Sequence, residues 1–336
     1  MPDERRLSAT LGGVPRAILV EKTGGPEVLQ LVERDPGAPS AGELRIRVAA
    51  AGVNFIDVYF RSGLYPRPLP FVAGLEGAGV VEMVGAGVSG LAAGDRVAWA
   101  SVPGSYAEAV VAPAASVVSV PPGVADDVAA AAMLQGMTAH YLVHAIRPPV
   151  EGGWALVHAA AGGTGLLLVQ LLREAGMRVI GTCGSAEKEA LVREAGADRV
   201  VRYDEEDFAA SARAATGGRG VDVVYDGVGR DTFDGSLASL RPRGLLAIFG
   251  QASGSVPPFD LQRLNSGGSL VVTRPSLAHF VATREELEMR AAAVLGAVAR
   301  RRLRVRIGAR FPLAEATAAH CALEGRKSTG KLLLIT

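Results

Sequence analysis

One stretch limits this chain more than any other. An apolar run, Trp154–His158, breaks into Ala159-Ala160-Ala161-Gly162-Gly163-Thr164-Gly165 and continues as the apolar Leu166–Leu172. A strand that passes through a glycine-rich turn into a helix is the opening of a dinucleotide-binding βαβ unit. The free N–H groups and positive end of the helix hold phosphates there, and glycines let the backbone approach a pyrophosphate and the helix pack on the strand. An alanine holds the first glycine position here; Gly162 and Gly165 hold the other two. Ala160, Gly162, Gly163, Thr164 and Gly165 form the candidate pyrophosphate seat.

A βα rhythm follows the turn. Arg178–Cys183 reads as the next strand and Ala186–Ala195 as a helix. Arg199–Arg202, Val221–Asp226, Leu245–Phe249 and Ser269–Thr273 supply four more strands. Six short apolar runs in this alternation predict a buried parallel sheet with helices on both faces, an α/β doubly wound Rossmann domain. The texture before Pro122 differs. Alternations such as Glu43–Val48 and Asp95–Trp99, broken by Gly, Pro and Asn, predict an irregular antiparallel β domain. Between the two lies an Ala-rich helix, Asp126–Tyr141. Helices are also expected over Arg284–Arg301 and Ala314–Leu323, with a closing strand, Lys331–Ile335, that returns to the first domain. Residues 1–13 read as a polar extension.

The end of the second strand of the βα series selects the cofactor. An NAD site places Asp or Glu there to grip the ribose hydroxyls. This chain has Gly181-Thr182-Cys183-Gly184, followed by Ser185 and, near the first turn of the next helix, Lys188. A hydroxyl, helix N–H groups and an ammonium suit a doubly charged 2′-phosphate, so NADPH is preferred over NADH.

Composition excludes several classes. Lys and Arg number 35 against 34 Asp and Glu, a net charge of +1, which argues against a protein that coats nucleic acid. Two cysteines cannot form a disulfide framework or a four-thiolate zinc site and fit a reducing cytoplasm. No apolar run reaches the ~20 residues that span a bilayer. The first residues show no signal-peptide pattern.

The run Ala51-Gly52-Val53-Asn54-Phe55-Ile56-Asp57-Val58-Tyr59, with Arg61-Ser62-Gly63-Leu64-Tyr65-Pro66, resembles the NADPH-dependent quinone oxidoreductases, zinc-free members of the medium-chain dehydrogenase/reductase superfamily that are similar to zeta-crystallin. Gly94–Val97, His158–Gly165, Tyr225–Thr232, Phe249–Gly254 and Thr273–Leu277 extend the resemblance over nearly the whole chain. It implies a GroES-like catalytic domain built from both chain ends, 14–137 and 275–336, around a Rossmann NADPH-binding domain, 138–274. It places Asn54, Thr138, Phe249, Gly250, Gln251 and Ser253 around the nicotinamide and its ribose. Gly184, Ser185, Lys188, Tyr203 and Arg326 surround the 2′-phosphate, Tyr59 and Tyr65 line the substrate cleft, and homodimers are usual.

The chain departs from the family pattern at Gly227, His140 and Gln135, where Ser, Tyr and Lys are frequent. Zinc-dependent relatives need a Cys near Asn54 and a His beside a Glu. This chain reads Gly74-Leu75-Glu76-Gly77, so no metal is expected. Asn54, Tyr59 and Tyr65 are the candidate donors to a carbonyl oxygen. Asp57, three residues on, shares a helical face with Asn54 and is expected to cap backbone. His158 is expected to satisfy local backbone, Cys183 to be an inert core thiol, and the Arg300–Arg306 run to be a solvated helix end. The leading expectation is an NADPH:quinone reductase acting on a flat small molecule. The competing ones are an NADPH-dependent enal or enone reductase and an NADPH-bound structural or RNA-binding protein.

Overall fold

A computed structural model describes residues 13–336; the expected extension lies outside these residues except for Gly13. The chain opens with β1 (Arg16–Val20), β2 (Leu29–Glu33) and the long β3 (Glu43–Val53). Asn54 turns β3 into α1 (Phe55–Ser62), which stops at Gly63, held at φ 81° where glycine is unstrained. Then come β4 (Phe71–Val72), β5 (Glu76–Val84), β6 (Arg96–Trp99), β7 (Ala109–Pro113) and β8 (Val118–Ser119). Two antiparallel pairings tie β1 to β2 and β4, while β3 pairs with both β5 and β7.

Helix α2 (Asp126–Tyr141) leads out of this β region and is buried on nearly every side, with Ala129–Met133 and Met137 inaccessible. Its alanines let it lie close between the β3–β5 sheet and the second half of the molecule. That half alternates as the sequence predicts: β9 (Trp154–Val157), α3 (Gly163–Glu174), β10 (Arg178–Cys183), α4 (Ala186–Glu194), β11 (Arg199–Arg202), α5 (Phe208–Ala215), β12 (Val221–Asp226), α6 (Phe233–Ser239), β13 (Leu240–Ile248), α7 (Gln262–Ser266) and β14 (Val271–Thr273). The six strands pair in parallel in the order β11-β10-β9-β12-β13-β14. The connections reverse direction between β9 and β12, and a crevice opens at the carboxyl ends of such strands.

After α8 (Arg284–Ala299), the chain returns to the first sheet. Strand β15 (Ile307–Pro312), helix α9 (Ala316–Glu324) and β16 (Lys331–Ile335) follow, and β16 pairs antiparallel with β3. The edge of β3 opposite β5 is divided: β7 takes Glu43–Arg47 and β16 takes Ala50–Val53.

Two details differ from the sequence expectations. Strand β13 begins at Leu240 rather than Leu245, because Leu240 pairs with Val221 before Pro242-Arg243-Gly244 arches out, with Arg243 at φ 59°. Helix α8 ends at Ala299, and Arg301 at φ 57° turns the chain away. The arginines beyond it are exposed, as expected of a solvated helix end, though Arg302 also pairs with Glu174 of α3 and Arg304 with Glu194 of α4.

Candidate active site

A cavity of about 540 Å³ occupies the crevice at the reversal point, with the glycine-rich turn at its centre. Gly162, Gly163, Thr164 and Gly165 lie on its wall. Gly165 has no room for a side chain, since a Cβ would press on Ala159 O and the Ala160 backbone, whereas a Cβ on Gly162 would meet only Ala159 O, at 3.2 Å. The turn therefore packs through Gly165 and leaves its surface open at Gly162. Ala160 is buried behind it. Ala159 is exposed and holds φ 48°.

One end of the cavity is lined by Gly184, Lys188, Tyr203 and Arg326. Lys188 Nζ donates to Arg326 O at 2.5 Å and has no carboxylate partner among the described residues. Burial lowers its pKa, as expected for an ammonium short of counter-charge. Ser185 caps α4, accepting from Lys188 N, and lies off the wall. Gly184 lies against the Tyr203 phenol, which a Cβ at 184 would push aside. Asp231 is also on the wall, 3.8 Å from Arg326 Nη2, and two further carboxylates, Glu206 and Asp207, reach this end. Both are committed elsewhere: Glu206 to Ser211 and Arg199, Asp207 to the first N–H groups of α5.

The other end is walled by Val53, Phe55, Gly227, Val228, Phe249 and Ala252. Asn54, Tyr59, Tyr65, Thr138, Gly250, Gln251 and Ser253 lie outside the wall proper. Gly250 packs against Gly227, where a Cβ would overlap the Gly227 backbone. Ser253 braces the loop, donating to Val228 O and accepting from Asp231 N. Thr138 is buried on α2.

The two tyrosines join the two halves of the molecule. Tyr59 Oη accepts from Gln251 N at 2.9 Å, and Tyr65 Oη accepts from Arg274 Nη2 at 3.1 Å. Their rings meet edge to face, 5.1 Å apart. A phenol that accepts one hydrogen bond still has its proton to give. Burial pushes the Tyr59 hydroxyl up to about 12, so it stays protonated.

Asn54 is differently placed. Its Nδ2 donates to Gly52 O (3.1 Å) and Glu76 Oε2 (2.8 Å), and its Oδ1 accepts from Lys331 Nζ (2.6 Å). Both amide protons are spent inside the protein, so the carboxamide has none left for a ligand. The partners form an ion pair that the sequence reading missed: Lys331 Nζ and Glu76 Oε2, 2.5 Å apart, with both side chains wholly inaccessible. Glu76 Oε1 also accepts from Leu134 N of α2 at 2.6 Å. No local pattern signals this pair, because its members are 255 residues apart.

Asp57 caps as expected, accepting from Asn54 N at 2.9 Å. It also ends a buried donor chain. Arg61 Nη1 must donate to His320 Nδ1, so His320 Nε2 donates to Tyr106 Oη, and Tyr106 donates to Asp57 Oδ2. His158 bonds side chains rather than backbone: Nδ1 to Thr182 Oγ1 and Nε2 to Ser236 Oγ, each 3.0 Å. Cys183 is buried yet lies on the cavity wall, and burial pushes its thiol up.

Residues 40–122 match the family described as "Alcohol dehydrogenase GroES-like domain", and residues 163–293 match "Zinc-binding dehydrogenase". Quinone oxidoreductase from Pseudomonas aeruginosa is 44% identical over 93% of this chain and 97% of its own. The chain belongs to the quinone oxidoreductase family of the medium-chain dehydrogenases/reductases. A mycobacterial member solved in complex with NADPH is 52% identical, covers 96% of this chain and 100% of its own, and superposes with a TM-score of 0.93. The family's chemistry extends further, since 2-haloacrylate reductase from a Burkholderia species is 41% identical over 95% of this chain and 98% of its own. No group of three or more His, Cys, Asp or Glu side chains that could hold a metal ion is gathered among the described residues.

Proposed function

We propose that this protein is a zinc-independent NADPH:quinone oxidoreductase. The observation that carries the reading is Lys188. A half-buried ammonium without a carboxylate partner stands at one end of a cleft centred on a glycine-rich helix start, and the neighbouring strand ends without an acidic residue. That arrangement suits the 2′-phosphate of NADPH. The NADPH complex of the mycobacterial relative and the name of the Pseudomonas relative support it.

On this reading, residues 138–274 bind the cofactor, and residues 14–137 with 275–336 form the catalytic domain. Ala160, Gly162, Gly163, Thr164 and Gly165 seat the pyrophosphate on the start of α3. Gly184, Ser185, Lys188, Tyr203 and Arg326 surround the 2′-phosphate. Thr138, Phe249, Gly250, Gln251 and Ser253 shape the nicotinamide end, with Asn54 holding the wall from behind. When bound, NADPH supplies a hydride to the quinone. The chain has to hold the two rings face to face and stabilise the oxygen that becomes negative. Tyr59 and Tyr65 do the second, each fixed by an accepted hydrogen bond and each with a proton to donate.

The test is oxidation of NADPH and of NADH, side by side, with 1,4-benzoquinone, followed at 340 nm. Faster turnover with NADPH is expected; no absorbance loss above background, or a preference for NADH, rejects the reading. Lys188→Glu should weaken NADPH selectively. Reduction of an activated C=C bond is the second reading, favoured by the likeness to 2-haloacrylate reductase. Turnover of enals and 2-haloacrylates above that of quinones would establish it.

We further take the enzyme to be a cytoplasmic homodimer. Two free cysteines fit a reducing compartment, and no helix among the described residues is long and apolar enough to cross a membrane. The free edge of β14, where Val271 is half exposed, offers a strand to a second copy. A monomeric mass in light scattering would reject the dimer.

A further inference from the structure

A second cavity, of about 330 Å³, lies among the strands of the first half of the chain and shares no residue with the cleft described above. Strands β1 and β4 and the residues just after β2 form one side of it; β7 and the loop before β7 form the other. Two charged side chains reach it, Arg34 and Arg67, and no acidic one does. The rest of its wall is Ala, Gly, Val and Pro. The acids in the neighbourhood do not answer these cations. Glu108 of β7 is held by Arg16 and Asp35 by Arg45, and Glu33, next to Arg34 in sequence, does not reach the wall.

Arg67 is also held ready. Its guanidinium carbon stands 4.7 Å from the centre of the Phe71 ring and 5.3 Å from that of Phe60, so two aromatic rings support the charge. Pro66 and Pro68 on either side restrict its backbone. None of its guanidinium N–H groups has a hydrogen-bond partner among the described residues, and the same holds for Arg34. Burial lowers the pKa of Arg67 against the pull of Asp57, the direction expected of a cation with too little negative charge around it. Guanidinium N–H groups match the oxygens of a phosphate or a carboxylate. The apolar wall suits a hydrocarbon body, and the volume stands at the small end of the roughly 300–1,000 Å³ of ligand pockets.

We propose that this cavity is a second ligand site, built for a small organic anion that carries a phosphate or carboxylate on an apolar body. Arg34 and Arg67 bind the anionic group, and Pro36, Val72, Pro103 and Val110 cover the body. Wild type, Arg34→Gln and Arg67→Gln, each with saturating NADPH to fill the other cleft, are titrated with phenyl phosphate, benzoate and benzyl alcohol in a calorimeter. Wild type should bind at least one of the two anions, the tighter one identifying the head group, and should bind the uncharged alcohol at least about tenfold more weakly. Each variant should lose about tenfold or more in anion affinity, the loss of a hydrogen bond between charged groups. Its affinity for NADPH should stay within about twofold of wild type, which also reports that it is folded. Wild type that binds neither anion, or binds the alcohol equally well, overturns the proposal. So does an anion affinity that is unchanged in either variant, or that falls in both only together with that for NADPH. If NADPH itself does not bind, the cofactor reading falls, and the loss of anion affinity in the two variants still decides this one.

Discussion

At Ala159 a single backbone angle carries a cost. An alanine at φ 48° is destabilised by about 1 kcal/mol or more relative to an ordinary conformation, and Ala159 is an exposed residue with little burial to offset it. Ala159→Gly should raise stability by about 0.5–1 kcal/mol after the greater unfolded-state freedom of glycine is deducted. Urea unfolding would read this as a higher midpoint at unchanged slope. The glycine-rich turn was plain in the sequence, but the strained angle was not, because alanine leaves no trace of it. Tyr59 is a residue-scale case with a functional readout. Tyr59→Phe keeps the ring on Tyr65 and removes the hydroxyl that holds Gln251 N. With Tyr65 still donating, kcat/KM for a quinone should fall roughly tenfold. Because Tyr59 ionises only near 12, the wild-type rate should show no limb from Tyr59 below pH 10. An unchanged kcat/KM in stopped-flow measurements would remove Tyr59 from the chemistry.

Between elements, the Lys331–Glu76 pair is the joint that matters most. It ties β16 to β5, reaches α2 through Leu134, and fixes Asn54 at the start of α1. Removing one partner of a buried pair leaves an uncompensated charge and costs about 3–5 kcal/mol, whereas removing both is often close to neutral. Lys331→Met and Glu76→Gln should each be destabilised by that amount. The double variant should be more stable than either single one in guanidinium unfolding, and additive losses would show that the pair is not coupled. The strands of the parallel sheet were legible because each is a short run of Val, Ile, Leu and Ala between turn residues. Strand β15 was not, because Ile307–Pro312 alternates half-buried with exposed residues and contains Gly308, Arg310 and Pro312. The ion pair was hidden for another reason: lysine and glutamate are surface residues by default, and the expected return of the closing strand to the first domain does not say that it pairs with β3 and brings Lys331 to Glu76.

For the molecule as a whole, buried titratable groups set the response to pH. Burial pushes Asp57 up to about 7, outweighing the hydrogen bonds from Asn54 N and Tyr106. An unfolded aspartate ionises near pH ~4. Between about pH 4 and 7 the folded chain therefore keeps a proton that the unfolded chain has lost, and stability from this group falls as pH rises. His320 acts in the opposite sense. Burial and then Arg61 lower it to about 3, so the unfolded chain gains a proton below about pH 6.5 that the fold refuses, and stability falls as pH drops. Asp57→Asn removes the first effect and leaves the second. Its stability should climb more steeply than that of wild type from pH 4.5 to 7, by up to about 1 kcal/mol per pH unit. Parallel pH curves for the two proteins would sink this assignment.

The divided edge of β3 also sets an order of events during synthesis. Leu332–Ile335 are made long after the Ala50–Val53 segment they pair with, and most other strands of that sheet emerge before them. Until they arrive, the backbone of Ala50–Val53 is open to any passing strand, and Glu76 waits without its cation. The nascent chain therefore has to protect β3 for as long as it takes to make the parallel sheet that lies between β3 and β16.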